Sequence, residues 1–117
     1  LSEMKLKRMP SLRDKKRYIT FRLHSEKPVS YSEMKDAVLG SIAGWLGENG
    51  LSAASPRIIR NLWNEKRQEG WLSVSHRAVD GVIMSLALVR QIGDRRATFQ
   101  VLRVSGTIKS GKSKMPK

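Results

Sequence analysis

The chain has 117 residues, 39% of them hydrophobic, with 23 Lys+Arg against 10 Asp+Glu and a formal net charge of +13. That length suits one domain with one modest core, and the apolar content is too high for a wholly disordered chain. The absence of cysteine excludes disulfides, cysteine nucleophiles and thiolate zinc sites. The longest apolar clusters, residues 37–46 and 82–89, are broken by Gly or Ser and fall short of the roughly 18–20 residues that span a bilayer.

The first 16 residues read as a basic arm without the apolar centre of a signal peptide, so a soluble, cytoplasmic protein is expected. Residues 1–17 carry seven bases against two acids, and residues 107–117 carry four lysines and no acid. Most of the net charge therefore lies in two tails flanking a mildly basic body at 17–106. Cationic tails on a compact domain suit a polyanion, because Lys and Arg follow an irregular phosphate backbone and release its counterions. Nucleic acid is the expected partner, ahead of an anionic membrane.

Arg17–His24 alternates, with Ile19, Phe21 and Leu23 opposed to Tyr18, Thr20, Arg22 and His24, the period of a half-buried strand. After Pro28–Val29, Ser30 and Glu33 have capping-box spacing and predict a helix start. Met34, Ala37, Val38, Ser41, Ile42 and Trp45 form its core stripe, and Asn49–Gly50 is the expected stop. Leu39, Ala43 and Leu46 lie on a second face of this helix, and Gly40, Gly44 and Gly47 permit close approach by a neighbour.

Following a small-residue linker at Leu51–Ser55, Pro56–Asn64 reads as a strand of ambiguous facing. A polar turn at Glu65–Gly70 leads to an alternating strand, Trp71–Ser75, and the two strands make a hairpin. Val79, Val82, Ile83, Leu86 and Val89 mark a second helix with Gly93 as its stop, and Met84 and Leu88 sit opposite that stripe. The last strand, Ala97–Val104, changes parity between Val101 and Leu102, which predicts a bulge there.

The order is strand, helix, strand, strand, helix, strand. That is the ferredoxin-like, RNA-recognition-like β-α-β-β-α-β pattern of the α+β class: four antiparallel strands with both helices on one face. Basic residues on or beside the open face, among them Arg22 and Arg103, are candidate phosphate contacts. The tail Lys109, Lys112 and Lys114 join them. Paired stacking aromatics are missing, so contact through phosphates and shape is expected. Leu39, Leu46, Met84 and Leu88 are the candidate protein interface on the helical side. Only His24 and His76 are present, no nucleophile elbow or phosphate-cradling glycine loop occurs, and no Asp/Glu pair suggests a two-metal nuclease. No catalytic or metal-binding residue is assigned.

Four stretches, in order, carry a family resemblance: Leu12–Ile19, Leu46–Gly50, Val74–Asp80 followed by Leu86–Leu88, and Val104–Lys109. The chain resembles the archaeal ribonuclease P protein component 2 family, related to a subunit of eukaryotic nuclear ribonuclease P and ribonuclease MRP. The resemblance implies a protein that binds and supports a catalytic RNA removing 5′ leaders from precursor tRNA. It implies that Mg2+ sits on the RNA and that this chain binds no cofactor. It also implies ribonuclease P protein component 3, and a second copy of the chain, as partners. RNA contact then falls to basic residues in or beside the motifs: Arg13, Lys15, Lys16, Arg17, Arg77, Arg103 and Lys109. The alternative is an RNA-binding module of another ribonucleoprotein such as the ribosome.

Overall fold

The computed structural model of the chain describes residues 15–107. The elements are β1 (Lys16–Ser25), α1 (Tyr31–Ala54), β2 (Arg57–Ile58), β3 (Glu69–Ser75), α2 (Val79–Ala87), β4 (Gln91–Ile92) and β5 (Arg95–Ser105), with short 3-10 turns at Arg60–Leu62 and His76–Ala78. The strands form an antiparallel sheet in the order β2-β3-β1-β5-β4, so there are five strands where four were expected. The additional strand is the short β4, which folds back on β5 through a turn at Gly93 and Asp94. Gly93, expected to stop the second helix, serves that turn. α2 has already ended at Ala87, before Val89.

Both helices cover one face of the sheet. The core there joins Ile19, Phe21 and Leu23 of β1, Leu72 and Val74 of β3, and Ala97 and Phe99 of β5 to Met34, Val38, Ile42, Val82 and Leu86 of the helices. Fully burying one such large side chain contributes about 1.5–3 kcal/mol. Phe21 and Phe99 meet edge to face at 5.4 Å. Gly70 pairs with Phe21 across β1–β3, and a Cβ there would lie 2.7 Å from the Phe21 ring and 3.1 Å from Trp63. The close approach of two rings requires glycine at that position.

The Ser30–Glu33 capping box forms as expected. The Ser30 hydroxyl accepts from the Glu33 N–H at 3.2 Å, and the Ser30 N–H donates to the Glu33 carboxylate at 3.1 Å. Arg95 ties the same carboxylate to β5 at 2.7 Å and donates to the Pro28 carbonyl at 2.9 Å.

The far end of α1 departs from expectation. The helix breaks at Gly47, where φ is +77° and ψ 176°, and then resumes to Ala54 instead of stopping at Asn49–Gly50. Ala54 is buried and Leu51 packs against the core, so these two residues of the presumed linker gain apolar contact by staying helical. Ser55, with φ +47°, supplies the left-handed end, its N–H donating to the Leu51 carbonyl at 3.0 Å. Trp45, assigned to the core stripe, is 52% exposed. Met34, Val38 and Ile42 are spaced by four residues, and the next inward position is Leu46, whose side chain would lie 3.0 Å from a Cβ at Gly81 of α2.

The presumed strand Pro56–Asn64 is reduced to Arg57–Ile58, because the chain then coils into the 3-10 turn and an isolated bridge at Asn64. The bulge falls where the parity change placed it. Thr20 pairs with Arg103 and Phe21 with Val101, which leaves Leu102 as the extra residue. Gln68 is buried at φ +54° and joins two loops. Its side-chain amide accepts from the Val29 N–H at 2.8 Å and donates to the Val29 carbonyl at 3.1 Å. Among the described residues no helix is long and apolar enough to cross a membrane.

Candidate nucleic-acid interface

β1 runs antiparallel to both β3 and β5, so its first residues meet their last ones. Lys16 pairs with Ser75, and Tyr18 with both Ser73 and Ser105. This geometry gathers Lys15, Lys16, Arg17 and Arg77 at one end of the sheet. Lys15 and Lys16 are exposed, and the Lys15 carbonyl accepts from the His76 N–H at 2.8 Å, which fixes the turn that carries Arg77. Arg17 is half-buried and donates to the Lys16 carbonyl at 3.0 Å. Arg13, Lys109, Lys112 and Lys114 lie outside the described residues.

Arg22 and Arg103 are not at that end. Arg103 is half-buried in the middle of the outer face, opposite Thr20. Arg22 is paired with Glu69 across the β1–β3 register and donates to its carboxylate from Nε at 2.8 Å. Glu69 also faces Arg67 at 3.6 Å. A guanidinium held this way has less charge to offer a phosphate than the exposed bases.

The outer face is less open than the alternation implied. Trp71 points to it, yet only 7% of its surface is exposed, and its register partner Thr20 is 1% exposed. Trp71 is therefore closed off as a platform. Tyr18 is half-buried and lines a cleft of about 430 Å³ with Lys16, Ser55, Pro56, Arg57, Ile59 and Ser73. Sequence reasoning missed Arg57, because the facing of its short strand was ambiguous; its pairing with Ser73 puts it on the outer face beside Tyr18. At the opposite end of the sheet, His24, Arg90, Gln91 and Arg96 line a wider groove of about 680 Å³. Arg90 and Arg96 were also missed, since neither falls in or beside the stretches that carried the family resemblance.

The helical side carries the other surface. Met84 and Leu88 are 48% and 49% exposed, while Leu39 and Leu46 are half-buried, Leu46 against α2. A depression of about 260 Å³ between the helices is lined by Ser41, Gly44, Trp45, Ser85, Leu88 and Val89. Trp45 thus adds to the apolar patch around Leu88.

Glu33 is the one described group whose titration is clearly moved. The Ser30 backbone N–H does most to hold its carboxyl below the ordinary value, partial desolvation opposes this, and the Ser30 hydroxyl and Arg95 add to the lowering. Among the described residues no three of His, Asp and Glu are grouped closely enough to hold a metal ion.

The model of the Rpp14/Pop5 family matches residues 17–115. Ribonuclease P protein component 2 of Pyrococcus furiosus is 42% identical over 105 residues, spanning 90% of this chain and 86% of that protein. The same component of Methanosarcina mazei is 38% identical over 106 residues, spanning 91% of this chain and 88% of its own. A chain in the cryo-EM structure of yeast ribonuclease MRP shares the fold with a TM-score of 0.62 at 12% identity, covering 80% of this chain and 75% of that one. Matched along nearly its whole length by relatives of one kind, the chain belongs to the Rpp14/Pop5 family, as a protein subunit of ribonuclease P.

Proposed function

We propose that this subunit binds and supports the catalytic RNA of ribonuclease P through phosphate contacts, while the RNA and its Mg2+ ions remove the 5′ leader of precursor tRNA. The observation that carries this reading is the 42% identity to a ribonuclease P protein component 2 across nine-tenths of the chain. The gathering of Lys15, Lys16, Arg17 and Arg77 at the end where the basic tails join the sheet supports it. This chain binds no cofactor of its own.

The apolar patch of Trp45, Met84 and Leu88 supports a protein partner on the helical side, and ribonuclease P protein component 3 is the partner proposed there. A second copy of the chain is the other candidate. The fold itself reads as ferredoxin-like with one addition. Without β4, the order β2-β3-β1-β5 with both helices on one face fits the β-α-β-β-α-β pattern.

Reconstitution tests the proposal. Cognate RNA, component 3 and precursor tRNA in Mg2+ are assayed for leader cleavage with and without this chain. Cleavage should be stimulated by the chain, and the chain alone should be inactive. Metal-dependent cleavage by rigorously RNA-free protein, abolished by one side-chain change, would overturn it.

A further inference from the structure

We infer that the cleft between Lys16, Tyr18 and Arg57 is a pocket for one unstacked nucleotide of RNA, with the Tyr18 ring as base platform and the two cations on the flanking phosphates. The inference rests on the proposed RNA binding and goes beyond it, from a phosphate surface to a site that takes single-stranded RNA in preference to a duplex.

Three observations carry it. The first is placement. Tyr18 and Arg57 both pair with Ser73, on β3 between them, and Lys16 lies two residues before Tyr18 on β1, so all three side chains share the outer face. The second is shape. β2 has only two residues, and the chain enters it from the left-handed turn at Ser55 and leaves it at Ile59 for the 3-10 turn. The edge of the sheet is therefore cut short, leaving a cleft of about 430 Å³ walled by Pro56 and Ile59.

The third is unspent chemistry. The guanidinium of Arg57, the ammonium of Lys16 and the hydroxyl of Tyr18 make no hydrogen bond or ion pair within the described structure, whereas Arg22 and Arg95 are each held by an acid. No carboxylate lines this cleft, while the larger groove at the other end of the sheet includes Glu26.

An apolar wall, one aromatic ring and two free cations at its rim match the amphiphilic shape of a nucleotide. The base gains stacking on the ring, and the phosphates on either side meet Arg57 and Lys16. A-form duplex RNA keeps its bases stacked inside and offers the ring nothing. Trp71 does not compete for this role, being covered on the same face.

The test uses the full chain and two probes: a single-stranded RNA heptamer with a central 2-aminopurine, and a blunt RNA duplex with a similar number of phosphates. Wild type should bind the single strand with a change in 2-aminopurine fluorescence. Tyr18→Val, which keeps a strand-forming side chain but removes the ring, should weaken single-strand binding roughly tenfold, within the range of base–aromatic stacking. Its salt slope and duplex affinity should stay the same, and Tyr18→Phe should restore wild-type behaviour. Arg57→Gln should instead flatten the single-strand salt slope by about 0.7. Equal binding of the heptamer by wild type and Tyr18→Val, or an equal loss on both probes, would overturn the pocket while leaving RNA binding intact. No binding of either probe by the wild-type chain would overturn both. If Tyr18→Val does not fold, the fluorescence change with wild type and Tyr18→Phe decides, and its absence sinks the pocket.

Discussion

The helical layer and the outer face of the sheet rest on the same core and present opposite chemistry to solvent. The helices leave Trp45, Met84 and Leu88 half exposed around a depression with no charged wall. The outer face is polar and cationic, and its one large aromatic at the centre, Trp71, is covered. A domain this small has little surface to spare, and sheet alternation together with helix periodicity divides it between two kinds of contact. An apolar patch with a tryptophan is the usual centre of a protein interface, where a few anchors supply most of the affinity. A cationic rim suits phosphates, which fix position without reading sequence, and Tyr18 is the ring it offers beside them.

The largest expected effect tests the apolar side. Leu88→Glu should abolish capture of component 3, since burying a carboxylate without a counter-charge costs several kcal/mol, enough to lower affinity at least 100-fold. Its circular dichroism and its RNA affinity should not change. Calorimetry showing unaltered pairing would move the interface off this patch, and a parallel loss of RNA binding would erase the division between the faces.

A smaller effect is expected on the cationic side. Glu69→Gln releases Arg22 and Arg67 from their acid and should tighten RNA binding a few-fold with a salt slope steeper by up to about 0.9. The stability cost should stay below about 1 kcal/mol, as for partly exposed ion pairs. Weaker RNA binding in this variant would mean that Glu69 orients Arg22 toward its ligand instead of competing for it.

The smallest effect concerns the joint between the layers. Glu33 caps α1 and holds Arg95 of β5, and its carboxyl is lowered from the ordinary 4.5. A carboxyl lowered on folding stabilises the native state above its unfolded value, and that contribution disappears as pH falls through the lowered one. Glutamine can keep the capping contacts but not the charge. Glu33→Gln should therefore melt below wild type near neutrality, and the gap should close progressively below pH 4.5. A gap that persists at low pH would show that the carboxylate charge is not its cause.

Periodicity made much of this fold readable before any coordinates. The strand at Arg17–His24, the capping box and the bulge at Leu102 are local in origin, each fixed by spacing within a few residues. What went unread depends on neighbours distant in sequence. Asn49–Gly50 looks like an end to α1, but Leu51 and Ala54 find a core beyond it. Trp45 shares a stripe with Ile42 on a helical wheel, but Leu46 takes the contact with α2. The β4–β5 hairpin carried a local signal, Gly93–Asp94 between two short runs, that was given to the helix instead. On the candidate interface, basic motifs marked Lys15 to Arg17 and Arg77. Arg57 needed the pairing register to be seen, and the holding of Arg22 by Glu69 needed the cross-strand partner.

Because Tyr18 pairs with Ser105, β1 begins where β5 ends, and the two basic segments join the domain from neighbouring strands. They carry net charges of +5 over residues 1–17 and +4 over residues 107–117. If the proposed RNA binding holds, that common root makes them a bivalent pair for one ligand rather than two separate charges. Two binding elements rooted side by side raise each other's effective concentration for a shared ligand, since engaging one keeps the ligand near the other. On that reading, weak and sequence-blind phosphate contacts at one root would hold an RNA longer together than either would alone. Removing one segment forfeits that cooperation together with its own phosphates.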